Sequence, residues 1–199
     1  LSSTANDQNE EYQSKLLTLA EAAGLVQSGN TIQIGVAASE PVGLLEELAN
    51  QADRLFDVTL WTCLPMRAYD IFVKPEMEGH FFNENWFYGA PDRAVHMEGR
   101  VSYTPNNLHR AGRDKLVGNK GKLDMFMGTC TPPNADGMVS LSMGVVVERE
   151  MIDAARTVIL EVNRNLPWTD GDTVIPISMV DHFVENDSLL VQVPQTEPS

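Results

Sequence analysis

Residues 35–41, Gly-Val-Ala-Ala-Ser-Glu-Pro, are the best candidates for a chemical role. They directly follow a short stretch, residues 31–34, that is rich in apolar side chains. The stretch alternates apolar and polar residues and predicts a strand. Ser39 has the side chain of an N-cap, and Glu40 with Pro41 suits the first turn of a helix. Free N–H groups at such a turn can bind an anion or a developing oxyanion. An ordinary strand-to-helix turn without a ligand fits the same residues.

The cysteines and histidines do not form a motif. Cys63 and Cys130 lie far apart without a CxxC pair, so neither a disulfide scaffold nor a zinc site is predicted, and each is expected to be buried near the end of a strand. The sequence has no HxH or HExxH pair, which disfavours a metal hydrolase. No metal and no permanently bound cofactor are therefore expected. The four histidines are His80, His96, His109 and His182.

Composition bounds the class of protein. The chain has 199 residues, of which 43% are hydrophobic, as in a single globular domain. Its apolar runs are too short to cross a bilayer and no basic, apolar N-terminal signal is present, so we expect a cytoplasmic protein without membrane partners.

Charge bounds the partners. The net charge of −14 argues against nucleic acid as a partner. Seven of the fourteen Lys and Arg nevertheless fall between residues 93 and 122. This basic region could bind a phosphorylated ligand or an acidic partner, or it could be a solvated face.

Two helices and two strands frame the chemical residues. Residues 18–21 fit a capping box at the start of a short helix. Apolar residues at spacings of three and four between Glu40 and Leu55 predict a second helix, and residues 58–64 predict the next strand. Strand, helix and strand form a βαβ unit, so we expect an α/β fold with an open, mainly parallel sheet flanked by helices. The carboxyl ends of the two strands would place residues 36–40 beside residues 64–66.

The rest of the chain predicts further elements of the same fold. We expect a helix near residues 106–117, strands over 123–130, 138–142 and 157–162, and a helix over 148–156. Residues 172–180 are expected to be extended, and residues 181–185 to form a short helical turn. The domain boundaries follow from composition: a flexible N-terminal arm over 1–15, an α/β domain over 16–185, and a linker or tail over 186–199.

Four motifs, taken together, resemble the N-terminal domain of the acetyl-CoA hydrolase/transferase family, a branch of the class I CoA-transferases. They occur in the family's order, and the resemblance extends over about residues 16–185. The motifs are Ala38-Ser39-Glu40-Pro41, Pro132-Pro133-Asn134-Ala135-Asp136-Gly137, Ile159-Leu160-Glu161-Val162-Asn163 with Pro167, and Gly171-Asp172-Thr173 followed by Asp181-His182-Phe183-Val184-Glu185.

The resemblance implies half of an active site. Enzymes of this family transfer CoA between two carboxylic acids through a glutamyl-CoA intermediate, with two α/β domains facing one another across the site. The nucleophilic glutamate and the glycine-rich segments belong to the second domain, so no residue of this chain is expected to be catalytic. Coenzyme A is expected as a substrate. An acyl-CoA, a carboxylic acid and a C-terminal CoA-transferase domain, in the same or a second chain, are the expected partners, and the complete enzyme is expected to be a homo-oligomer.

The resemblance also implies the residues that would line an acyl pocket. Val36 stands where relatives can carry a histidine, which favours a plainer acyl group than a hydroxy acid. A non-catalytic module that binds a small carboxylate or an acyl-CoA at the helix expected to follow Ser39 remains the alternative. The expected substrate-binding residues are Val36, Ala37, Ala38, Ser39, Glu40, Pro41, Leu64, Pro65, Met66, Tyr103, Pro105, Asn107, Pro132 and Pro133.

Overall fold

A computed structural model describes residues 2–192, with side chains from residue 7 onward. Residues 193–199, the end of the expected tail, lie outside this range. The helices are α1 (Ser2–Ser14), α2 (Leu19–Gly24), α3 (Val42–Asn50), α4 (Asp70–Val73), α5 (Ala90–Val95), α6 (Ala111–Gly118) and α7 (Glu148–Ala154). The strands are β1 (Thr31–Ile34), β2 (Val58–Thr62), β3 (Phe81–Asn85), β4 (Val101–Tyr103), β5 (Met125–Cys130), β6 (Met138–Ser140), β7 (Thr157–Val162), β8 (Val174–Pro176) and β9 (His182–Glu185).

Seven strands form a parallel sheet in the order β4-β3-β2-β1-β5-β7-β9. Strands β6 and β8 pair antiparallel in a small separate sheet. A parallel sheet needs cover on both faces, because its strands are joined by helical crossovers. The predicted α/β fold with an open, mainly parallel sheet is confirmed.

Successive side chains of each strand point to opposite faces of the sheet, and a hydrophobic core lies on each face. Ile32, Ile34 and Met127 face one core with the leucines of α3, while Phe126 and Leu160 face the other with α7 and the small sheet. Leu44, Leu45 and Leu48 of α3 are completely buried. Each such side chain contributes about 1.5–3 kcal/mol by leaving water, which fixes α3 against the sheet directly after β1.

The last strand of the sheet corrects one expectation. Residues 181–185 were expected to form a helical turn, but they form β9, parallel to β7. Phe183 and Val184 are both fully buried and lie in opposite cores. Consecutive side chains point to opposite faces in a strand, whereas in a helix they lie about 100° apart around the axis. Burial on both faces therefore selects the strand.

The N-terminal segment also differs from its expected form. Residues 2–14 form α1, where a flexible arm through residue 15 was expected. Tyr12 is buried, its ring lies 5.0 Å from that of Phe183, and its hydroxyl donates to Glu185 at 3.0 Å. The expectation of a poorly anchored arm is therefore corrected at the end of the helix, where one aromatic side chain joins it to β9.

Candidate functional site

The strand order reverses beside β1, because β2, β3 and β4 lie on one side of it and β5 on the other. In open α/β sheets, ligands bind outside the carboxyl ends of the strands at such a switch point. A small cavity lies there, and we call it the switch-point crevice. Its lining residues are Ala37, Ala38, Glu40, Val42, Arg67, Tyr69, Thr129, Asn163, Leu166 and residues 188–191.

A tight turn after β1 forms one wall of the crevice. Residues Ala37–Ser39 make a single 3-10 turn, and the Ala37 N–H donates to the carbonyl of Cys63 at 3.1 Å. A Cβ atom on Gly35 would lie 2.2 Å from the Ser39 carbonyl oxygen. Only glycine allows the chain to fold back so closely. The turn therefore lies against the end of β2, as predicted for residues 36–40 and 64–66.

Ser39 and Glu40 do not begin the helix, which corrects the expected cap. Helix α3 begins at Val42 after Pro41, and no side chain of the N-cap residue bonds to it. The N–H group of Leu44 instead donates to the Glu161 carboxylate at 3.1 Å. Glu161 lies at the end of β7 and is completely buried. A carboxylate of the protein itself therefore occupies the amino end of α3, where the sequence suggested a ligand anion.

A second buried carboxylate fixes the turn from the other side. Glu148, at the start of α7, accepts hydrogen bonds from the backbone N–H groups of Val36 at 2.9 Å, Val146 at 2.7 Å and Val147 at 3.0 Å. Gly144 precedes these valines and packs against the turn, since a Cβ there would lie 3.0 Å from the Ser39 hydroxyl. Glu148 thus joins the end of β1 to the loop before α7.

Glu40 faces the crevice and is only 5% exposed. Its two carboxylate oxygens accept the Met66 N–H at 3.3 and 3.2 Å. Burial raises its pKa to about 8, although the Met66 N–H, Tyr69 and Arg67 all favour ionisation. At neutral pH this side chain is mostly a neutral carboxylic acid. It can donate a hydrogen bond, but it is a weak nucleophile.

Two hydroxyl groups in the crevice wall lack partners. Tyr69 is 5% exposed and Thr129 is 4% exposed, and neither hydroxyl makes a hydrogen bond of acceptable geometry. Buried polar groups nearly always have partners, and an exception needs an explanation. Across the crevice, the guanidinium of Arg67 donates to the backbone carbonyl of Leu189. The crevice therefore contains unused hydrogen-bonding capacity next to one cation.

Three of the five non-glycine residues with positive φ angles in the described part of the chain lie around the same edge. Ala37, Leu64 and Ser142 have positive φ angles of 51°, 55° and 56°. Such conformations cost about 1–3 kcal/mol each in non-glycine residues and cluster at functional sites. Leu64 follows β2, and Ser142 precedes the glycine that packs on Ser39. Three strained residues thus surround the turn after β1, which makes this edge the candidate functional site.

The predicted site residues fall into three groups. Val36 to Pro41 and Leu64 to Met66 lie together at the switch point, joined by the bonds of Glu40 and Ala37. Pro132 and Pro133 follow β5 and border a different small cavity, beside Tyr12 and Arg164. Tyr103 is the last residue of β4, and Pro105 and Asn107 follow it. Strand β4 is three strand spacings, or about 14 Å, from β1.

In the third group, Pro105 lines a separate cavity and Tyr103 packs against another tyrosine. Pro105 lines a polar cavity of about 500 Å³ with Lys115 and Glu84, which form an ion pair of 2.7 Å. Tyr103 is half exposed and packs edge to face with Tyr88, with ring centroids 5.3 Å apart. The three residues at the end of β4 and after it do not reach the turn after β1.

Sequence reasoning missed part of the crevice. Arg67, Tyr69 and Thr129 line it, and Glu148 and Glu161 support its walls. Thr129 and Glu161 have a local sequence signal, because each is a polar residue inside a mostly apolar strand. Arg67 and Tyr69 stand in a loop without a recognisable pattern, so no local signal identifies them.

Residues 2–192 give little support for a metal site, a membrane-spanning helix or a reactive cysteine. Within this range no cluster of three His, Cys, Asp or Glu side chains could hold a metal ion. In the same part of the chain, no helix is long and apolar enough to cross a membrane. Cys63 and Cys130 are free and buried at the ends of β2 and β5, as predicted. Burial raises the pKa of Cys63 to about 11 and that of Cys130 further, so both remain thiols at neutral pH.

The chain is similar to known CoA-transferases along most of its length. It is 26% identical over 187 residues to 4-hydroxybutyrate coenzyme A transferase of Clostridium kluyveri, covering 92% of this chain and 42% of that protein. It is 27% identical over 183 residues to succinyl-CoA:cyclohexane-1-carboxylate CoA transferase of Geobacter metallireducens, covering 92% and 41%. The chain therefore spans less than half the length of these curated relatives.

Solved structures and a family model agree with these relatives. RipA from Yersinia pestis superposes with a TM-score of 0.88 at 30% identity, covering 97% of this chain and 47% of that one. The 4-hydroxybutyrate CoA-transferase of Porphyromonas gingivalis, at 22% identity and a TM-score of 0.68, shares the fold over 93% of this chain and 42% of its own. The model of the acetyl-CoA hydrolase/transferase N-terminal domain matches residues 2–194. The chain belongs to the acetyl-CoA hydrolase/transferase family and carries its N-terminal domain.

Proposed function

We propose that this chain is the N-terminal half of an acyl-CoA:carboxylate CoA-transferase, and that the reacting glutamate comes from a second domain. The observation that carries the proposal is the state of the carboxylates around the switch-point crevice. Glu148 accepts three backbone N–H groups, and Glu161 accepts the Leu44 N–H and the Asn186 side-chain amide. Glu40 is buried and largely protonated. None of the three is free to attack a thioester.

The surface around the crevice supports a docking domain. Large apolar side chains are exposed in segments that follow the carboxyl ends of the strands or pack against them. Large apolar side chains exposed along one edge of a folded protein can be buried by a partner. A second α/β domain that covers this edge would bury these side chains and bring its own carboxylate to the crevice. The exposed residues are Phe87, Tyr103, Leu108, Val145, Trp168 and Leu189.

The proposed chemistry passes through covalent intermediates. The glutamate carboxylate attacks the carbonyl carbon of the acyl-CoA, the C–S bond breaks, and CoA leaves as a thiolate from an acyl-glutamyl anhydride. The thiolate then attacks the glutamyl carbonyl and releases the donor acid as a carboxylate, which leaves glutamyl-CoA. The acceptor carboxylate repeats these steps in reverse and leaves as the new acyl-CoA, regenerating the glutamate.

In this proposal, the N-terminal half supplies a pocket wall that positions the acyl group, and it does not supply the nucleophile. Ala37 and Ala38 present only methyl groups at the strained turn, so an acyl group can approach the backbone there once residues 188–191 move away. Glu148 and Gly35 hold that turn against β2, so its geometry does not depend on the ligand. A fixed pocket wall of this kind lowers the entropy cost of aligning an acyl group with an attacking carboxylate.

Turnover measurements test the proposal. The purified 199-residue chain should not transfer CoA from acetyl-CoA to propionate, whereas the complete two-domain enzyme should. Adding the second domain as a separate polypeptide should restore turnover to the 199-residue chain, at a rate that saturates with its concentration. Turnover by the 199-residue chain alone would contradict the proposal.

The alternative is a module that binds a small carboxylate or an acyl-CoA without catalysis. The protein carboxylate at the amino end of α3 weakens the version in which the helix itself binds the anion. If the complete chain binds acetyl-CoA but transfers no CoA to any of several short acids, the alternative is correct.

A further inference from the structure

The lining of the switch-point crevice combines groups that suit an anion. Arg67 supplies the only lysine or arginine side chain among the residues lining this cavity. The buried hydroxyl of Thr129 has no partner, and that of Tyr69 lies beside the Glu40 carboxyl without a hydrogen bond of good geometry. A carboxylate accepts several hydrogen bonds at once, and bonds to a guanidinium are the strongest that a side chain can offer it. A neutral ligand would use the hydroxyls but would gain little from Arg67.

The acidic neighbours of this corner do not exclude an anion. Burial raises the pKa of Glu40 to about 8, so at neutral pH its carboxyl is mostly protonated. Glu161 points its two oxygens to the Leu44 N–H and to the amide of Asn186. Among the residues that line the crevice, Arg67 is therefore the one side chain that carries a full charge at neutral pH.

The segment formed by residues 187–191 now closes the crevice. Asn163 donates from its side-chain amide to the carbonyl of Ser188 at 2.8 Å, and the Arg164 N–H donates to Asp187 at 2.8 Å. The carbonyl of Leu189 accepts from Arg67, as a carboxylate oxygen of a ligand would. With the segment in place, the crevice holds only about 10 Å³, the space of about one water molecule.

We propose that Arg67, Tyr69 and Thr129 form a subsite for the carboxylate of an organic acid, and that the 187–191 segment leaves Arg67 when the acid binds. This inference rests on the proposed function, because a CoA-transferase must bind a free acid. The carboxylate that occupies this subsite can be the single carboxylate of a monocarboxylic acid or the second carboxylate of a dicarboxylic acyl group. Both use the same donors.

The direct test is acid binding to the 199-residue chain without CoA. Ligand-observed NMR titrations with propionate and succinate should give saturable binding, and propionamide, which has no charge, should bind at least about tenfold more weakly. Arg67→Met should weaken binding of the acids about tenfold or more, and Tyr69→Phe several-fold. Arg156→Met, which removes an exposed arginine elsewhere, should leave the dissociation constants unchanged.

A second readout follows the 187–191 segment. Amide hydrogen exchange in residues 187–191 should accelerate when either acid is added, and Arg67→Met should accelerate it without ligand. If succinate depends on Arg67 and propionate does not, the subsite takes a second carboxylate; equal dependence assigns it to the single one. Acid binding that is unaffected by both Arg67→Met and Tyr69→Phe, or no acid binding to the wild type, would overturn the inference. Neither result depends on CoA transfer, which the turnover test measures separately.

Discussion

The carboxylate of Glu161 caps a helix that begins far away in the sequence. Its Oε2 atom accepts the backbone N–H of Leu44 at 3.1 Å, and its Oε1 atom accepts the side-chain amide of Asn186 at 2.8 Å. One side chain therefore ties together the end of β7, the first turn of α3 and the segment after β9. Because α3 follows the strained turn after β1, this contact also fixes the wall of the switch-point crevice.

Removing this carboxylate should destabilise the fold. In a Glu161→Ala variant, the Leu44 N–H stays buried without an acceptor, which costs about 1–3 kcal/mol. Urea denaturation at pH 8, above the Glu161 pKa of about 7, measures the loss of unfolding free energy. Glu46→Ala, at an exposed position in the same helix, should change stability by less than about 0.5 kcal/mol. Equal effects of the two substitutions would contradict the capping role.

Glu40 should make stability depend on pH. Its folded-state pKa of about 8 lies above the ordinary 4.5, so the folded protein binds the proton more tightly than the unfolded chain. Its contribution is therefore fully present below pH 4.5 and is lost as pH rises toward 8. Glu40→Gln keeps an acceptor for the Met66 N–H but cannot ionise.

The unfolding free energy of the variant minus that of the wild type should rise by a few kcal/mol, on the order of 4, between pH 5 and pH 8.5. The groups that face Glu40 are Arg67, Tyr69 and Asp92, and they are the same in both proteins. Urea denaturation at the two pH values measures the difference. A difference that does not change with pH would show that Glu40 is not the group responsible.

Gly35 should not tolerate a side chain. Gly35→Ala places a Cβ atom 2.2 Å from the Ser39 carbonyl oxygen, and the turn must shift. We expect a loss of about 1–3 kcal/mol in unfolding free energy, the usual cost of inserting atoms into packed structure. Gly24→Ala is the matched control, because nothing lies within 4 Å of its Cβ position and alanine favours the helix. Thermal denaturation of both variants checks the contrast; similar melting temperatures would argue against the close approach.

Ala38 should limit the size of the acyl pocket. Ala38→Leu adds a bulky side chain to the crevice wall that an acyl group would approach, so kcat/KM of the complete enzyme should fall about tenfold to hundredfold. Ala94→Leu, on the exposed surface of α5, adds the same volume away from the site. Steady-state kinetics with acetyl-CoA and propionate measure both. Unchanged kinetics for Ala38→Leu would remove this turn from the acyl pocket.

The elements that the sequence predicted are those with local signals. The capping box of Thr18 and Glu21 forms as expected, and β1, α3 and β2 build a parallel βαβ unit. Alternation in the strand and helical spacing in α3 are properties of neighbouring residues. The carboxyl-edge placement of residues 36–40 beside residues 64–66 follows from the same topology, so it too could be predicted.

The features that escaped prediction depend on residues distant in sequence. Ser39 has a side chain that suits an N-cap, yet the Glu161 carboxylate accepts the N–H group of the first turn of α3. No local sequence pattern indicates this contact between distant residues. Residues 181–185 were expected to form a helical turn, and only the two cores that bury Phe183 and Val184 on opposite faces select a strand. Arg67 and Tyr69 become site residues only through the fold.

The most direct test of the central claim is to locate the covalent intermediate. The complete enzyme is incubated with acetyl-CoA without acceptor acid, and the residue that carries CoA through a thioester is identified by peptide mass spectrometry. We predict a single glutamyl-CoA adduct on a residue outside the 199 residues of this chain. An adduct on Glu40, Glu148 or Glu161 would contradict the account, because it would make this domain the source of the nucleophile.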